Sequence, residues 1–410
     1  MKILIINHYS GSPSLGMEYR HFYLAREFKK LGHEVCIVAS AYSHLRREQP
    51  NKNALGVRIN SHDGIDHIWL GGCNYSSNGI RRMLNMLGFS LALRSHAKAI
   101  ATLWKPDVVY ASSPHPLQSY GAVKLARLAR AQFIFEIRDL WPLSLVELAG
   151  VPPSHPVARL FDHAERYGCR HADAVISLLP AVAEYMTSLR DVPLSKLHII
   201  PNGISPDDWR GEAPTITNDL VAHIEAEKGR GHLLVGYTGA HGLPNALDVL
   251  LDAAALLKDQ PISFVLVGDG HEKTRLLHRV VCEGLSNVKI FSPISKEQIP
   301  QLLQQFDVAY IGWRRQPLYR FGIAPNKLMD YMMAAIPILH AVEAGNDPVA
   351  EAGCGLTVEP ENPQAVADGI CRLLALSSEE RKAMGQRGRA FVLEHHTYPV
   401  LARRFLKACR

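Results

Sequence analysis

Residues 233–270, LLVGYTGAHGLPNALDVLLDAAALLKDQPISFVLVGDG, contain two apolar runs on either side of a helical stretch. The runs at 233–239 and 263–270 are nearly continuous, as in strands that are buried on both faces. The segment between them has a helical pattern that begins near Asn245. A strand, a helix and a second strand in this order predict a parallel sheet covered by helices, which is an α/β fold.

The same alternation runs along the whole chain. In the first half, strands are predicted at 2–7, 34–40, 107–112, 133–138, 174–178 and 197–201. In the second half, they are predicted at 233–239, 263–270, 288–293, 308–312 and 336–341. A cluster of proline, glycine and aspartate at 201–214 separates the two series. The sequence therefore predicts two Rossmann-like domains, 1–205 and 206–388, and a helical segment, 389–410, that breaks near Pro399 and returns to the first domain.

Composition indicates a folded protein of 410 residues, with 47% hydrophobic and 20% charged residues. The formal charge of +6 suits anionic partners such as phosphates or an acidic lipid surface, although many proteins with this balance bind neither. Seven cysteines occur singly, so neither a zinc site nor a disulfide framework is indicated, and a cytoplasmic location is expected. No leader peptide or membrane-spanning stretch is predicted.

Three loops in the second half follow predicted strand ends, where open α/β sheets bind ligands. The first contains Thr238, Gly239, His241 and Gly242, and its glycines could let backbone N–H groups approach a diphosphate. A plain strand-to-helix turn explains the same residues. The second loop, GDGHE, contains Asp269 and exposes its backbone in a tight turn.

The third loop, PNKLMDYM (325–332), has the character of a helix start. Asn326 is expected to cap the helix, Lys327 to reach outward toward a phosphate, and Asp330 to accept hydrogen bonds from ribose hydroxyls one turn later. A capped surface helix with a solvated lysine and aspartate is the alternative.

In the first half, a polar loop that contains Gly16 follows the first strand. Residues FEIRDLWP (135–142) place Glu136, Arg138 and Asp139 at the end of an apolar strand, which is costly unless these groups work or pair. An ion pair between Glu136 and Arg138 with a packed Trp141 is the structural alternative. Residues 79–104 form a basic amphipathic stretch that suits either an anionic bilayer or a core-facing helix.

Together these segments resemble the retaining glycosyltransferases of family 4, which have the GT-B fold. MKILIINHYS and LAREFKKLGHEV resemble the family's opening strand and helix, HIIPNGISPDDW its interdomain crossover, and FVLVGDGHEKTRL its donor domain. The similarity runs over nearly the whole chain. FEIRDLWPLSLVELAG and APNKLMDYMMAAIPIL resemble the bacterial branch that builds O-antigen and capsule repeats, including transferases of N-acetyl-L-fucosamine.

The resemblance implies a UDP-sugar in a cleft between the two domains, with its phosphates near Gly16, Gly239 and Lys327. The uracil would meet Ser292, Pro293 and Ile294, Asp330 would hold the ribose, and no metal would be needed. Arg138 or Asp139 would orient the attacking acceptor hydroxyl. A polyprenyl-diphosphate-linked saccharide is the implied acceptor, with the enzyme peripheral on the inner face of the cytoplasmic membrane and no nucleic acid partner.

The sequence departs from the family pattern in two places. Many relatives have two glutamates eight residues apart, but here Gly322 and Asp330 occupy these positions. Relatives often carry an arginine and a lysine after the first donor-domain strand, where this chain has Ala240 and Asn245. The phosphate charge is therefore expected from Lys327, with the following arginines as further candidates: Arg20, Arg314, Arg315 and Arg320.

Three other functions fit part of the sequence. A soluble small-molecule acceptor could replace the lipid-linked one. The missing carboxylate at Gly322 also fits a catalytically silent subunit that binds nucleotide sugars. An NAD-dependent epimerase or dehydrogenase fits less well, because the first strand leads into NHYSGSPSLG rather than a G-x-G-x-x-G turn.

Overall fold

The structure is a computed structural model that describes residues 1–16, 19–44, 46–51, 54–75, 79–211, 216 and 218–409. The chain forms two compact units. The first contains residues 1–202 together with the chain from Tyr398 onward, and the second contains Gly203–Thr397. The predicted linker at 201–214 lies at this division, although 212–214 fall outside the described residues.

The first unit has an eight-stranded sheet in the order β3-β4-β2-β1-β5-β6-β7-β8. All pairings are parallel except that of β3 with β4. The strands are β1 (Lys2–Ile6), β2 (Glu34–Ser40), β3 (Asn60–His62), β4 (Ile65–Leu70), β5 (Val108–Ser113), β6 (Gln132–Ile137), β7 (Ala174–Ser177) and β8 (Leu197–Ile199). Its first five helices are α1 (Arg20–Lys30), α2 (Ile80–Trp104), α3 (Ser119–Ala129), α4 (Pro156–His171) and α5 (Ala183–Arg190).

The second unit has a six-stranded parallel sheet in the order β11-β10-β9-β12-β13-β14. The strands are β9 (Leu233–Thr238), β10 (Ile262–Val267), β11 (Val288–Phe291), β12 (Val308–Gly312), β13 (Ile338–Ala341) and β14 (Gly355–Thr357). The helices are α6 (Asn218–Gly229), α7 (Leu247–Leu256), α8 (Lys273–Cys282), α9 (Ile299–Leu303), α10 (Asn326–Met333), α11 (Pro348–Ala352), α12 (Pro363–Leu374) and α13 (Ser378–His395).

The last helix, α14 (Tyr398–Ala408), belongs to the first unit. Phe405 packs 5.0 Å from the Phe28 ring, and Tyr398 stacks 4.8 Å from Tyr23 on α1. Helix α13 remains in the second unit, where it contacts α10 and α11. The return to the first unit therefore begins later than the predicted boundary at residue 389.

The buried strands explain why the pattern predicts the sheets so well. All six residues of β10 are buried, as expected for a parallel strand with helices on both faces. The α/β fold with two parallel sheets is confirmed. Strands β3, β4 and β14 were not predicted. Strands β3 and β14 have three residues each and lie at sheet edges, and Asp66 and His67 interrupt the apolar run of β4.

The inner side of helix α2 faces the core, which is one of the two alternatives given for residues 79–104. Its buried residues recur every three or four positions and face the core: Met86, Phe89, Leu93, Ala97, Ile100 and Trp104. Within the described part of the chain, no helix combines the length and apolarity needed to cross a bilayer.

Candidate functional site

The strand order of the second sheet creates a crevice at its carboxyl edge. From β9 the chain moves to β10 on one side, and β12 later adds on the other side. The loops after β9 and β12 therefore run in opposite directions, and ligands of open α/β sheets bind at such switch points. Residues 239–246 and 313–325 form these two loops.

A cavity of about 280 Å³ opens at the ends of β9, β10 and β11. Its lining residues are Gly239, Ala240, Val267, Gly268, Asp269, Pro293, Ile294 and Ile299. Four predicted residues thus meet here: Gly239, Asp269, Pro293 and Ile294. Ser292 is exposed next to them but does not line the cavity. Pockets that hold a whole small ligand usually have volumes of about 300–1,000 Å³, so this cavity suits only part of a nucleotide sugar.

A larger pocket of about 630 Å³ lies in the first unit, beside Met1, Asp107 and Gln132. These residues stand at the amino ends of β1, β5 and β6. Ligands of parallel α/β sheets bind at the opposite edge. The smaller cavity is therefore the better candidate site.

Lys327 turns back toward the β9 loop rather than outward. Its Nζ donates hydrogen bonds to Tyr237 Oη at 2.8 Å and to Asn245 Oδ1 at 2.7 Å, and lies 4.4 Å from the Tyr237 ring centroid. A Cβ atom on Gly239 would be 3.3 Å from the same Nζ. Burial lowers the pKa of Lys327 to about 7. The ammonium is thus held at the loop by two neutral groups.

The other predicted cations have acidic partners or lie elsewhere. Arg314 pairs with Asp248 at 2.9 Å, and Arg315 pairs with Glu343 and Glu359 at 3.0 and 2.9 Å. Arg320 donates to the Pro317 carbonyl at 2.6 Å. Arg20 is buried in the first unit against Glu136. Of these candidates, Lys327 is the one whose charged group binds residues of the β9 loop.

Asp330 lies one turn after Lys327 on α10. Burial raises the pKa of Asp330 to about 6, with Lys296 opposing this shift and Asp208 adding to it. Lys296 and Asp208 themselves lie 3.5 Å apart. No hydrogen bond to the Asp330 side chain from the described residues contributes to this shift. Its carboxylate can therefore accept hydrogen bonds from a ligand.

The glycine loops pack tightly against each other. The N–H groups of Gly239 and His241 donate to the carbonyls of Val267 and Asp269. A Cβ on Gly268 would lie 1.8 Å from the Gly239 carbonyl oxygen, and one on Gly270 would lie 2.3 Å from that of His241. The glycines thus permit loop contact, and two of the N–H groups expected to hold a diphosphate are already bonded.

His241 is fully buried, and neither ring nitrogen has a hydrogen-bond partner among the described residues. Burial, reinforced by the charge of Lys273, lowers the pKa of His241 to about 4, so the ring is neutral at pH 7. Thr238 is also buried, and its N–H donates to Tyr331 Oη at 2.8 Å. Gly242 follows as the half-buried residue before the turn at Leu243–Asn245.

The expected cap of α10 is wrong. Asn326 is exposed as the first helical residue, Pro325 is the N-cap, and no side chain caps the helix. The fixed backbone angle of proline defines this start, which a reading of Asn326 as a typical cap residue overlooked. The first N–H groups of α10 therefore lack a side-chain cap beside Lys327.

Gly16 belongs to the first unit, where it closes a turn after β1. Its N–H donates to the Ser12 carbonyl at 2.7 Å, and its φ of +101° is unfavourable for other residues. A Cβ here would lie 2.8 Å from the Arg47 backbone nitrogen. This glycine has a structural requirement of its own.

Glu136 does not pair with Arg138, as the structural alternative required. Arg20 Nη2 lies 2.7 Å from its carboxylate, Tyr110 and Ser112 donate to it at 2.5 and 2.6 Å, and His21 Nε2 lies 3.2 Å away. Burial alone would raise the pKa of Glu136, but these partners hold it well below its usual range. The partners come from distant elements, so sequence spacing could not identify them.

Arg138 and Asp139 follow β6, half-buried and exposed respectively. Their loop is anchored on its far side, where the Trp141 N–H donates to Glu165 at 2.8 Å and its carbonyl accepts from Arg190 at 2.7 Å. Glu165 and Arg190 form a buried ion pair. The loop is thus fixed at both ends.

A buried histidine cluster was missed from the sequence. His115 Nε2 lies 2.9 Å from His8 Nδ1, and His8 Nε2 lies 2.5 Å from Asn85 Oδ1. His115 Nδ1 and Ser113 Oγ have no partner among the described residues. The available signal was the polar run SSPH directly after an apolar strand. The cluster lies at the carboxyl ends of β1 and β5, the switch point of the first sheet.

Comparison with known proteins shows the family to which the chain belongs. Residues 16–203 match the family described as Glycosyl transferase 4-like domain, and residues 232–376 match Glycosyl transferases group 1. The fold matches the sucrose-phosphate synthase of Thermosynechococcus elongatus with a TM-score of 0.73 and 17% identity, over 99% of this chain and 97% of that one. The chain is a group 1 glycosyltransferase with the GT-B fold.

The glycosyltransferase has relatives with known names. It is 25% identical to WcaI of Escherichia coli (strain K12), which bears the name of a colanic acid biosynthesis glycosyl transferase, over 84% of this chain and 85% of the relative. It is 22% identical to the 2-deoxystreptamine N-acetyl-D-glucosaminyltransferase of Streptomyces fradiae, over 72% and 68%. The structure of Anabaena Alr3699/HepE in complex with UDP and glucose has a TM-score of 0.67 at 17% identity, over 99% and 98%.

The backbone conformation at position 322 explains why this glycosyltransferase has a glycine there. Gly322 follows a short helical turn with φ of +93° and ψ of 173°, a conformation almost restricted to glycine. A glutamate would be strained here.

The described residues also contain no cluster of three or more His, Cys, Asp or Glu that could hold a metal ion.

Proposed function

We propose that this glycosyltransferase binds a UDP-sugar on its second unit and transfers the sugar with retention. The proposed sugar is a 6-deoxy N-acetylhexosamine, with N-acetyl-L-fucosamine as the first candidate. The proposed acceptor is a polyprenyl-diphosphate-linked saccharide in O-antigen or capsule synthesis. The placement of Lys327 between Tyr237 and Asn245, beside Gly239, carries the donor part of the proposal.

Lys327 would replace a cation that this chain lacks. The family resemblance implies a lysine where this chain has Asn245, and Asn245 here accepts a hydrogen bond from the Lys327 ammonium. A diphosphate at this loop would replace two neutral partners with an anion, which is a stronger interaction. The uncapped start of α10 adds N–H groups and a positive helix end beside the same point. Lys327 and the helix start can thus stabilise UDP as it leaves.

The rest of the donor would extend along the carboxyl edge of the second sheet. Ile294, Ile299 and Val267 would provide apolar cover for a uracil, and the backbone at 292–294 would provide its polar contacts. Asp330, whose carboxylate has no partner among the described residues, would accept hydrogen bonds from the ribose. Gly242 would contact the donor from the β9 loop, and His241 would support that loop from its buried position. HepE, with UDP and glucose bound, supports a UDP donor.

On the acceptor side, Asp139 and Arg138 would orient the attacking hydroxyl. The anchored loop supports this assignment, because a fixed carboxylate positions a substrate better than a mobile one. WcaI, named for colanic acid biosynthesis, supports a polysaccharide pathway. The Streptomyces relative, named for transfer to 2-deoxystreptamine, favours the soluble acceptor as the second candidate.

Donor turnover tests the proposal. The purified protein is incubated with single UDP-sugars, with a polyprenyl-diphosphate saccharide or with a soluble aminocyclitol, and UDP release and product mass are measured. We expect UDP release with a UDP-N-acetylhexosamine and the lipid-linked acceptor. Turnover with the aminocyclitol alone would select the second candidate. Binding of UDP without turnover of any donor would favour a catalytically silent subunit.

A further inference from the structure

Helices α2, α3 and α4 form one layer with an unusual charge distribution. Helix α2 contacts α3, and α3 contacts α4. Gly121 lets α2 and α3 approach closely, because a Cβ there would be 2.7 Å from Leu93. We call the outer surface of these three helices the basic helical face.

The basic helical face carries many cations and almost no available acid. Helices α2 and α3 contain no aspartate or glutamate at all. On α4, Glu165 is buried and Asp162 pairs with Arg166 and Arg190. The exposed basic residues of the face are Arg81, Arg94, Lys98, Lys124, Arg127, Arg159, Arg166 and Arg170.

Exposed leucines lie among these cations. Leu84 and Leu91, seven residues apart on one side of α2, are 53% and 63% exposed. Leu128 on α3 and Leu160 on α4 are also exposed. Exposed leucines next to lysine and arginine are the composition of helices that lie in the interface of an anionic bilayer. The inner side of α2 is filled by the core, so the helix can offer only this outer side.

We propose that the basic helical face docks this enzyme on a bilayer that contains anionic lipid. The leucines would enter the headgroup region, and the basic side chains would contact lipid phosphates. This inference rests on the proposed lipid-linked acceptor, whose saccharide would then be presented at a membrane surface. It names three helices as the contact, where the sequence indicated only α2.

The opposite layer of the same sheet provides a matched control. Right-handed crossovers that run in opposite directions from β1 place α1 on the other side of the sheet from α3, and α14 packs on α1. Helix α14 has exposed Arg403 and Lys407 and, like α2, no acid. Charge reversal of Arg403 and Lys407 therefore changes the net charge as much as reversal of Arg94 and Lys98.

Vesicle flotation tests the proposal. The full chain is floated with vesicles of phosphatidylcholine alone and with vesicles that also contain phosphatidylglycerol. We expect binding to the mixed vesicles only. Each basic residue near an anionic surface contributes roughly fivefold in binding, so the variant Arg94→Glu/Lys98→Glu should lose at least about 25-fold. Leu84→Ser/Leu91→Ser should also weaken binding, and Arg403→Glu/Lys407→Glu should retain most of it.

Equal losses from the α2 and α14 pairs would overturn the proposal, because they would indicate general attraction to a basic unit. Equal binding to both vesicle types would also overturn it. Circular dichroism and melting curves identify variants that fail to fold, and Leu256→Ser in the second unit controls for loss of an exposed leucine. Turnover of the lipid-linked acceptor in detergent separates the two proposals. Turnover without vesicle binding refutes only the docking face, and vesicle binding without turnover refutes only the proposed acceptor.

Discussion

Burial disfavours the charged form of Lys327, and a bound diphosphate would favour that form. Burial lowers the pKa of the free lysine to about 7, and an adjacent anion would raise it. UDP binding should therefore take up a proton at pH 8. The affinity should fall as the pH rises above 7, because the free protein then has a neutral amine that must be protonated on binding.

Calorimetry in buffers of different ionisation enthalpy measures this proton uptake. Lys327→Met should weaken UDP binding by about 10- to 100-fold, as expected for loss of a charge-assisted contact. It should also abolish the proton uptake in excess of that from UDP itself. Lys382→Met, at an exposed position in the same unit, serves as the control. An unchanged pH dependence in Lys327→Met would remove this lysine from the phosphate site.

We expect the Asp330 carboxylate to lower the stability of the folded protein while it contributes to ligand binding. Its pKa is about 6 in the folded protein and about 4 in an unfolded chain, so the carboxylate is harder to ionise when folded. The stability penalty is absent below pH 4, grows as the pH rises to 6 and stays constant above. Asp330→Asn should therefore stabilise the protein by about 1–2 kcal/mol at pH 8.

Urea unfolding between pH 4 and pH 8 measures this difference, and the advantage of the variant should shrink as the pH falls. Asp259→Asn, at an exposed position, should change stability by less than about 0.5 kcal/mol. The Asp330→Asn protein should bind UDP more weakly despite its higher stability. A variant that is less stable at pH 8 would show that the carboxylate has a structural partner.

At the scale of elements, the loop between β12 and α10 excludes the family's usual carboxylate. Gly322 has a φ of +93°, so Gly322→Ala should destabilise the protein by about 1–2 kcal/mol. Gly322→Glu should be at least as unstable and should not raise turnover, because the backbone would have to change before the carboxylate reached the sugar. Thermal melting and donor turnover measure both effects.

The control for this loop is Gly229→Ala. Gly229 ends α6, has ordinary backbone angles and has open space where a Cβ would lie, so this variant should be neutral or slightly stabilising. Higher turnover in Gly322→Glu would contradict the explanation and would show that the loop can accommodate a glutamate at this position.

At the scale of the whole molecule, the C-terminal helix completes the core of the first unit. Phe405 is buried between Phe28 and Tyr110, with ring centroids 5.0 and 4.6 Å away. Phe405→Ala should therefore cost about 3–5 kcal/mol in the stability of the first unit. Arg403→Ala, on the exposed side of α14, should cost little.

Hydrogen exchange localises this effect. We expect faster exchange in β1, β5 and α1 of the Phe405→Ala protein, with α7 and β10 of the second unit unchanged. UDP binding, which we propose for the second unit, should survive the substitution. Equal loss of protection in both units would show that they unfold together.

The sequence by itself determined the strands that are buried on both faces. A continuous apolar run such as 263–267 is typical of a parallel strand with helices on both faces of its sheet. It also placed Gly239, Asp269, Pro293 and Ile294 at strand ends that meet around one cavity. Lys327 and Asp330 were correctly placed one turn apart. These results depend on local pattern and on the general rule that parallel strands end at one edge.

Only the tertiary structure decided which groups pair. Arg20 reaches Glu136 and His8 reaches His115 across more than a hundred residues, and Lys327 bends toward Asn245 rather than outward. Spacing cannot reveal such contacts, because hydrogen bonds and ion pairs depend on distance in space. The order of residues along the chain predicts which helices and strands form. The packing of these elements determines which charged groups have partners and which remain available to a ligand.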